Sequence, residues 1–124
     1  MDKYTQLTAN FTYGEFFCLG VKPPDAYYLN ILALAKELQK VRDKIGLPIS
    51  ITSGWRSKEH NINVGGATNS QHLTGKAADI KCYKMPANFL LVYLARYGAF
   101  TGFGVDPTFN HVDIRTGKLT IWHY

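Results

Sequence analysis

Apolar positions recur with the helical period from Tyr28 through Leu32, Ala35, Leu38 and Val41 to Ile45, which predicts one long helix. Asp25 is placed to cap its start, and Gly46 with Pro48 to end it. A second helical stretch opens at Pro86 and closes near Tyr97 and Gly98. Elsewhere the pattern shortens to runs at 49–52, 77–80, 102–105, 111–114 and 119–122, which read as strands. Ser53 and Gly54 stop the first of these, and a turn at Thr116 and Gly117 separates the last two. Ser57 is positioned to cap a short helix through Asn61, followed by a loop over 64–67. Near the start, Thr12 and Glu15 have capping-box spacing, and the aromatics around them anchor the N-terminus on the core. Two main helices against a small, mostly antiparallel sheet predict an α+β fold, with residues 1–124 as one domain.

The alternation is cleanest over 111–115. His111, Asp113 and Arg115 share one face, read as solvent-facing, while Val112 and Ile114 face the core. A second candidate segment runs from Ser70 to Asp79 and holds His72 and Asp79 seven positions apart. That odd separation puts them on opposite faces of one regular strand, and on a helix it spans about 10 Å of rise. Gly75 removes the conflict, because a turn over 73–76 leaves His72 before it and Asp79 on the strand after it. Two imidazoles and a carboxylate make the three-ligand set of a catalytic zinc, with one position open for water. Taken alone, His72 and Asp79 read more simply as a hydrogen-bonded surface pair, and His111 as an ordinary strand histidine; only the two segments together bring the metal reading level.

Composition narrows the class of partner. The chain carries 14 Lys and Arg against 9 Asp and Glu, a net charge of +5 that favours anionic partners. These cations are scattered rather than gathered into a stripe, so the charge reads as steering and not as nucleic-acid recognition. Aromatic residues at 14 % suit a core and also a groove for an extended polymer. The N-terminal residues are polar, so no secretory signal is expected, and no apolar run approaches a membrane span. Cys18 and Cys82 show neither zinc-knuckle nor redox spacing, and two reduced thiols are the default, with one disulfide open if the protein works outside the cell.

Four motifs follow in order: Thr52-Ser-Gly-Trp-Arg-Ser57, Asn63-Val-Gly-Gly-Ala67, the Ser70–Asp79 segment, and His111-Val-Asp-Ile-Arg115. Together they resemble the zinc D-alanyl-D-alanine carboxypeptidase family. That group shares its fold with the hedgehog signalling domain and includes cell-wall endopeptidases and phage endolysins. The resemblance runs from about Phe11 to Trp122. It implies one zinc per chain bound by His72, Asp79 and His111, with Arg56 as the arginine that binds or polarises substrate. Some relatives carry Glu three positions before the last ligand, where this chain has Thr108. The resemblance therefore puts proton transfer on Asp113, with Asp106 and His123 as alternatives. Ser70 and Gln71 are candidates for lining the cleft or shaping its turn.

The function implied is hydrolysis of amide bonds in peptidoglycan stem peptides or cross-links, by carboxypeptidase or endopeptidase action. The lack of a signal suggests a phage lysis enzyme held in the cytoplasm until release to the wall; an exported enzyme whose leader has been removed is the alternative. A monomer is expected. The rival reading is a wall-binding or virion structural module that keeps the fold without turnover. Trp55, Tyr83, Tyr93 and Tyr97 are read as packing residues, His60 as a surface or supporting residue, and Asp106 as part of a turn at Pro107.

Overall fold

The first long helix, α1 (Tyr28–Ile45), buries Ile31, Leu34, Ala35, Leu38 and Val41 along one stripe and ends at Gly46 in the left-handed conformation. In this computed structural model, which describes residues 1–124, that stripe packs against α3 (Ala87–Tyr97) and one face of a five-stranded sheet. The strands are β1 (Ile49–Ser53), β2 (Ala77–Cys82), β3 (Gly102–Val105), β4 (Asn110–Asp113) and β5 (Thr120–His123), in the spatial order β1-β2-β4-β3-β5. Every neighbouring pair is antiparallel except β3 and β5. The fold is α+β with a mostly antiparallel sheet, as the sequence predicts.

Alternation along the strands divides the sheet into two faces. Ala78, Ile80, Val112 and Phe103 join α1 and α3 in one hydrophobic core with Phe11, Phe16 and Trp55. The opposite face carries Asp79 directly across from His111, and His111 across from Gly104. The short helix α2 (Lys58–Asn63) and a 3₁₀ turn at Gln71–Thr74 lie in the connection between β1 and β2.

Several local expectations are corrected. Asp25 does not cap α1; it lies in a 3₁₀ turn over Asp25–Tyr27, exposed and 3.6 Å from Lys22. His111 and Asp113 are not on a solvent-facing strand. β4 is central, flanked by β2 and β3, and all four of its residues are buried. The turn at Thr116 and Gly117 closes no hairpin, because β5 crosses to the far side of β3 and pairs with it in parallel. By contrast, Ser57 caps α2 by accepting from the His60 amide, and Glu15 folds back onto the Thr12 amide at 2.6 Å. Cys18 and Cys82 are unpaired. No helix is long and apolar enough to cross a membrane.

Candidate metal centre

His72 sits in the Gln71–Thr74 turn, which Ser70 opens by accepting the His72 amide at 3.2 Å. Gly75 ends the turn at φ 75°, a conformation costly for any residue with a Cβ, and an added Cβ would also lie 2.7 Å from Ile31. The Trp55 indole donates to the Leu73 carbonyl at 3.0 Å, tying the turn to the end of β1. This is the packing role that the sequence assigned to Trp55, and it places His72 with little freedom.

The ring itself is fixed by main chain. Nδ1 lies 2.7 Å from the Gly54 carbonyl, which only accepts, so Nδ1 carries the proton and Nε2 presents a lone pair. Nε2 is buried with no hydrogen-bond partner. It faces Asp79 Oδ1 at 3.3 Å, and His111 Nδ1 faces the same oxygen at 3.2 Å. His111 Nε2 meets Asp113 Oδ2 at 2.7 Å, so its proton points to that carboxylate and Nδ1 turns its lone pair inward. Three donor atoms thus converge, all within 4.8 Å of one another; a proton on His111 Nδ1 could join it to Asp79 Oδ1 but would still leave the buried His72 Nε2 without a partner. A cation resolves this. Two donors about 2.0–2.1 Å from a tetrahedral zinc stand about 3.3 Å apart, which is the spacing of Asp79 Oδ1 from each imidazole nitrogen. The mixed nitrogen and oxygen donor set also suits zinc better than magnesium or calcium.

Electrostatics of the protein alone agree. Burial pushes His72 below its ordinary value, only partly opposed by Asp79, so it is neutral and ready to ligate. Burial acts to raise Asp79, but the imidazoles of His111 and His72 beside it hold its carboxyl well below the usual range. In His111 burial pulls down, yet the hydrogen bonds to Asp113 and Asp79 win and raise it.

Asp79 Oδ2 is held at 3.0 Å by Arg56 Nη2, leaving Oδ1 for the centre. Arg56 is anchored on two more sides, by Ser53 Oγ at 3.1 Å and Asn61 Oδ1 at 3.3 Å. Asp113 is fully buried behind His111 and is gripped by Arg115, whose Nε and Nη2 donate to its two oxygens at 2.8 and 2.7 Å. Burial would raise the Asp113 pKa, but Arg115 and His111 hold it far below the usual range.

The centre opens into a cleft of about 540 Å³ that Arg56, Ser70, Gln71, Phe109, Trp122 and Tyr124 help to line. Sequence reasoning assembled His72, Asp79, His111, Arg56, Ser70 and Gln71 here, and the structure brings all six together. Asp113 touches His111 but does not line the cleft. Asp106 is turned into its own loop, accepting from the Thr108 hydroxyl at 2.7 Å, and His123 is exposed outside the cleft. The aromatic wall was missed. Trp122 stands 4.9 Å from His111, and Tyr124 lies 5.3 Å from Phe109. Its signal, aromatics two positions apart at Trp122 and Tyr124, lies at the end of the last predicted strand.

Comparison with known proteins agrees with this geometry. The zinc D-Ala-D-Ala carboxypeptidase of Streptomyces albus G is 38 % identical over 123 residues, an alignment covering 91 % of this chain and 48 % of that protein. The chain therefore spans about half the length of that curated relative. The peptidase M15 family matches residues 9–115, which takes in every residue of the centre, and the chain belongs to that family.

Proposed function

We propose that this chain is a zinc-dependent peptidase that hydrolyses amide bonds in the peptide portion of peptidoglycan, with one zinc held by His72, Asp79 and His111. The observation that carries the reading is the convergence of three buried donor atoms on one point in an open cleft. A bound zinc supplies a Lewis acid and lowers the pKa of water towards neutrality. The protein's own residues do the rest. Gly54 and Asp113 fix the tautomers and directions of the two imidazoles. Arg56 holds Asp79 in place while its charge faces the cleft, where it favours a substrate carbonyl that becomes anionic.

The burial of Asp113 and its two-sided grip by Arg115 support a positioning role, in which it raises the basicity of His111. Direct proton transfer by Asp113 is the reading from the family motif, and the variant described in the Discussion separates the two. Cleavage as a carboxypeptidase or an endopeptidase, and service as a phage endolysin released from the cytoplasm, are the finer forms of the proposal. Purified peptidoglycan treated with the protein, with fragments identified by mass, tests it. New amino termini or released D-alanine are expected, abolished by a chelator and restored by zinc. Intact peptidoglycan in the presence of a full complement of zinc would reject the enzyme and favour a wall-binding module.

A further inference from the structure

Asn61, in the last turn of α2, is buried and engaged on two opposite sides. Its Oδ1 accepts from Arg56 Nη1 at 3.3 Å, and its Nδ2 donates to the Ala67 carbonyl at 2.9 Å. The main chain repeats the second link, because the Gly66 amide donates to the Asn61 carbonyl at 2.8 Å. A guanidinium only donates and a carbonyl only accepts, so the two neighbours fix which end of the amide faces which. Asparagine meets both demands. Leucine has its shape but neither group, and aspartate sets a second acceptor against the Ala67 carbonyl. The loop is fitted as closely, since a Cβ on Gly66 would collide with Asn61 Oδ1.

Both neighbours belong to the metal cleft. Val64, Gly65 and Ala67 form part of its rim, and Arg56 lines it beside Asp79. The Arg56 guanidinium has five N–H groups, and Ser53, Asn61 and Asp79 each take one, from Nε, Nη1 and Nη2 in turn. One N–H on Nη1 and one on Nη2 therefore remain for a substrate oxygen. The three nitrogens are the corners of a triangle. Contacts at Nε and Nη2 alone leave the plane free to tilt about the line joining them, and the contact at Nη1 stops the tilt. Asn61 thus fixes the last freedom of the guanidinium, and it does so from the residue that also holds the rim.

We propose that Asn61 is a positioning residue that joins the 64–67 rim of the cleft to Arg56 and aims the two free N–H groups of Arg56 at the carbonyl under attack. The proposal rests on the peptidase reading above and on the part Arg56 plays in it. A misplacement of about 1 Å in such a group costs on the order of 10²-fold in rate, so the effect of Asn61 belongs in kcat and passes through Arg56. A residue that merely ties α2 to the loop would cost the same whether or not Arg56 is present, because independent sites add.

The test is a double-mutant cycle at saturating zinc, with free and cross-linked stem peptides as substrates. Asn61→Leu should lower kcat about 10- to 100-fold. In an Arg56→Ala background the same change should cost less than about twofold. An unchanged kcat in Asn61→Leu, or an equal loss in both backgrounds, overturns the proposal. Should Asn61→Leu not fold, the nearly isosteric Asn61→Asp takes its place. It keeps an oxygen for Arg56 while loosening the rim, so KM should rise by more than kcat falls, and the reverse split overturns the clamp. Side-chain nitrogen NMR of Arg56 reads the same contact without turnover. Separate, slowly exchanging Nη signals are expected in the unmutated protein and in Asn61→Asp, and merged signals in Asn61→Leu. Merged signals in the unmutated protein, or separate signals in Asn61→Leu, overturn the proposal. If no peptide is cut, the peptidase reading fails by itself, and the NMR comparison alone decides whether Asn61 holds Arg56.

Discussion

The turn that carries His72 is held by main-chain groups, with the Gly54 carbonyl on Nδ1 and the Leu73 carbonyl on the Trp55 indole. The strand position of His111 is held by side chains instead, Asp113 on Nε2 and Arg115 behind Asp113. The two grips differ in charge and in what can change them. A carbonyl carries no net charge and survives most substitutions around it. A carboxylate makes its histidine more basic, titrates itself and is removable by one mutation. One half of the centre is therefore fixed by fold geometry, and the other half is tunable.

The largest effects should be blind to that difference. His72→Ala and His111→Ala each remove a donor, and both are expected to lose stoichiometric metal and with it turnover, read by elemental analysis and peptide release. Retention of full metal in either variant would break the three-donor centre itself. Next comes the tunable half alone. Asp113→Asn keeps the shape but weakens the grip on His111, so metal affinity or turnover should fall about 10–100-fold. A loss nearer 10²–10⁴-fold with zinc fully retained would instead mark Asp113 as the group that moves the proton.

For the main-chain half the comparable lesion is in the backbone. Gly75→Ala forces a side chain into the left-handed region, a strain of about 1–2 kcal/mol before its contact with Ile31 is counted. Denaturant midpoints should shift accordingly, and an unchanged midpoint would mean that the turn is not rigid. The smallest effect is in acid. Asp79 and Asp113 have folded pKa values below their ordinary 3.8, so the unfolded chain binds more protons as pH falls past that value. Their contribution to the metal-free protein is full above about 3.8 and is lost as pH drops through the folded values. Asp113→Asn removes one of the two, and its stability should fall less steeply from pH 5 to pH 2 in urea titrations.

How far the sequence revealed this site follows from the reach of each rule. Helical period located α1 and α3, and the ligands were legible because Gly75 makes the only turn that reconciles His72 with Asp79. Alternation placed His111 and Asp113 on one face but said nothing of depth. Depth is set across the strand, where Gly102 opposes Asp113 and Gly104 opposes His111. A Cβ on Gly102 would lie 2.2 Å from the Asp113 carboxylate, and one on Gly104 would lie 2.9 Å from the His111 Cβ. The carboxylate therefore lies sunk into β3 while the imidazole reaches the cleft. Which strand would be the neighbour of β4 was not readable from β4. The Trp122 and Tyr124 wall was hidden for the same reason, since β5 was placed after β4 in the chain but lies beyond β3 in the sheet.

The pairing of Asp79 with His111 has a consequence beyond chemistry. The two residues are 32 positions apart and directly opposed across β2 and β4. An ion that binds both is a cross-link present only in the native chain. By mass action it stabilises the fold by about 4 kcal/mol once the free ion exceeds its dissociation constant a thousandfold. The melting temperature of the sheet should then track the free zinc concentration, and metal-starved protein should be the form that proteases clear first.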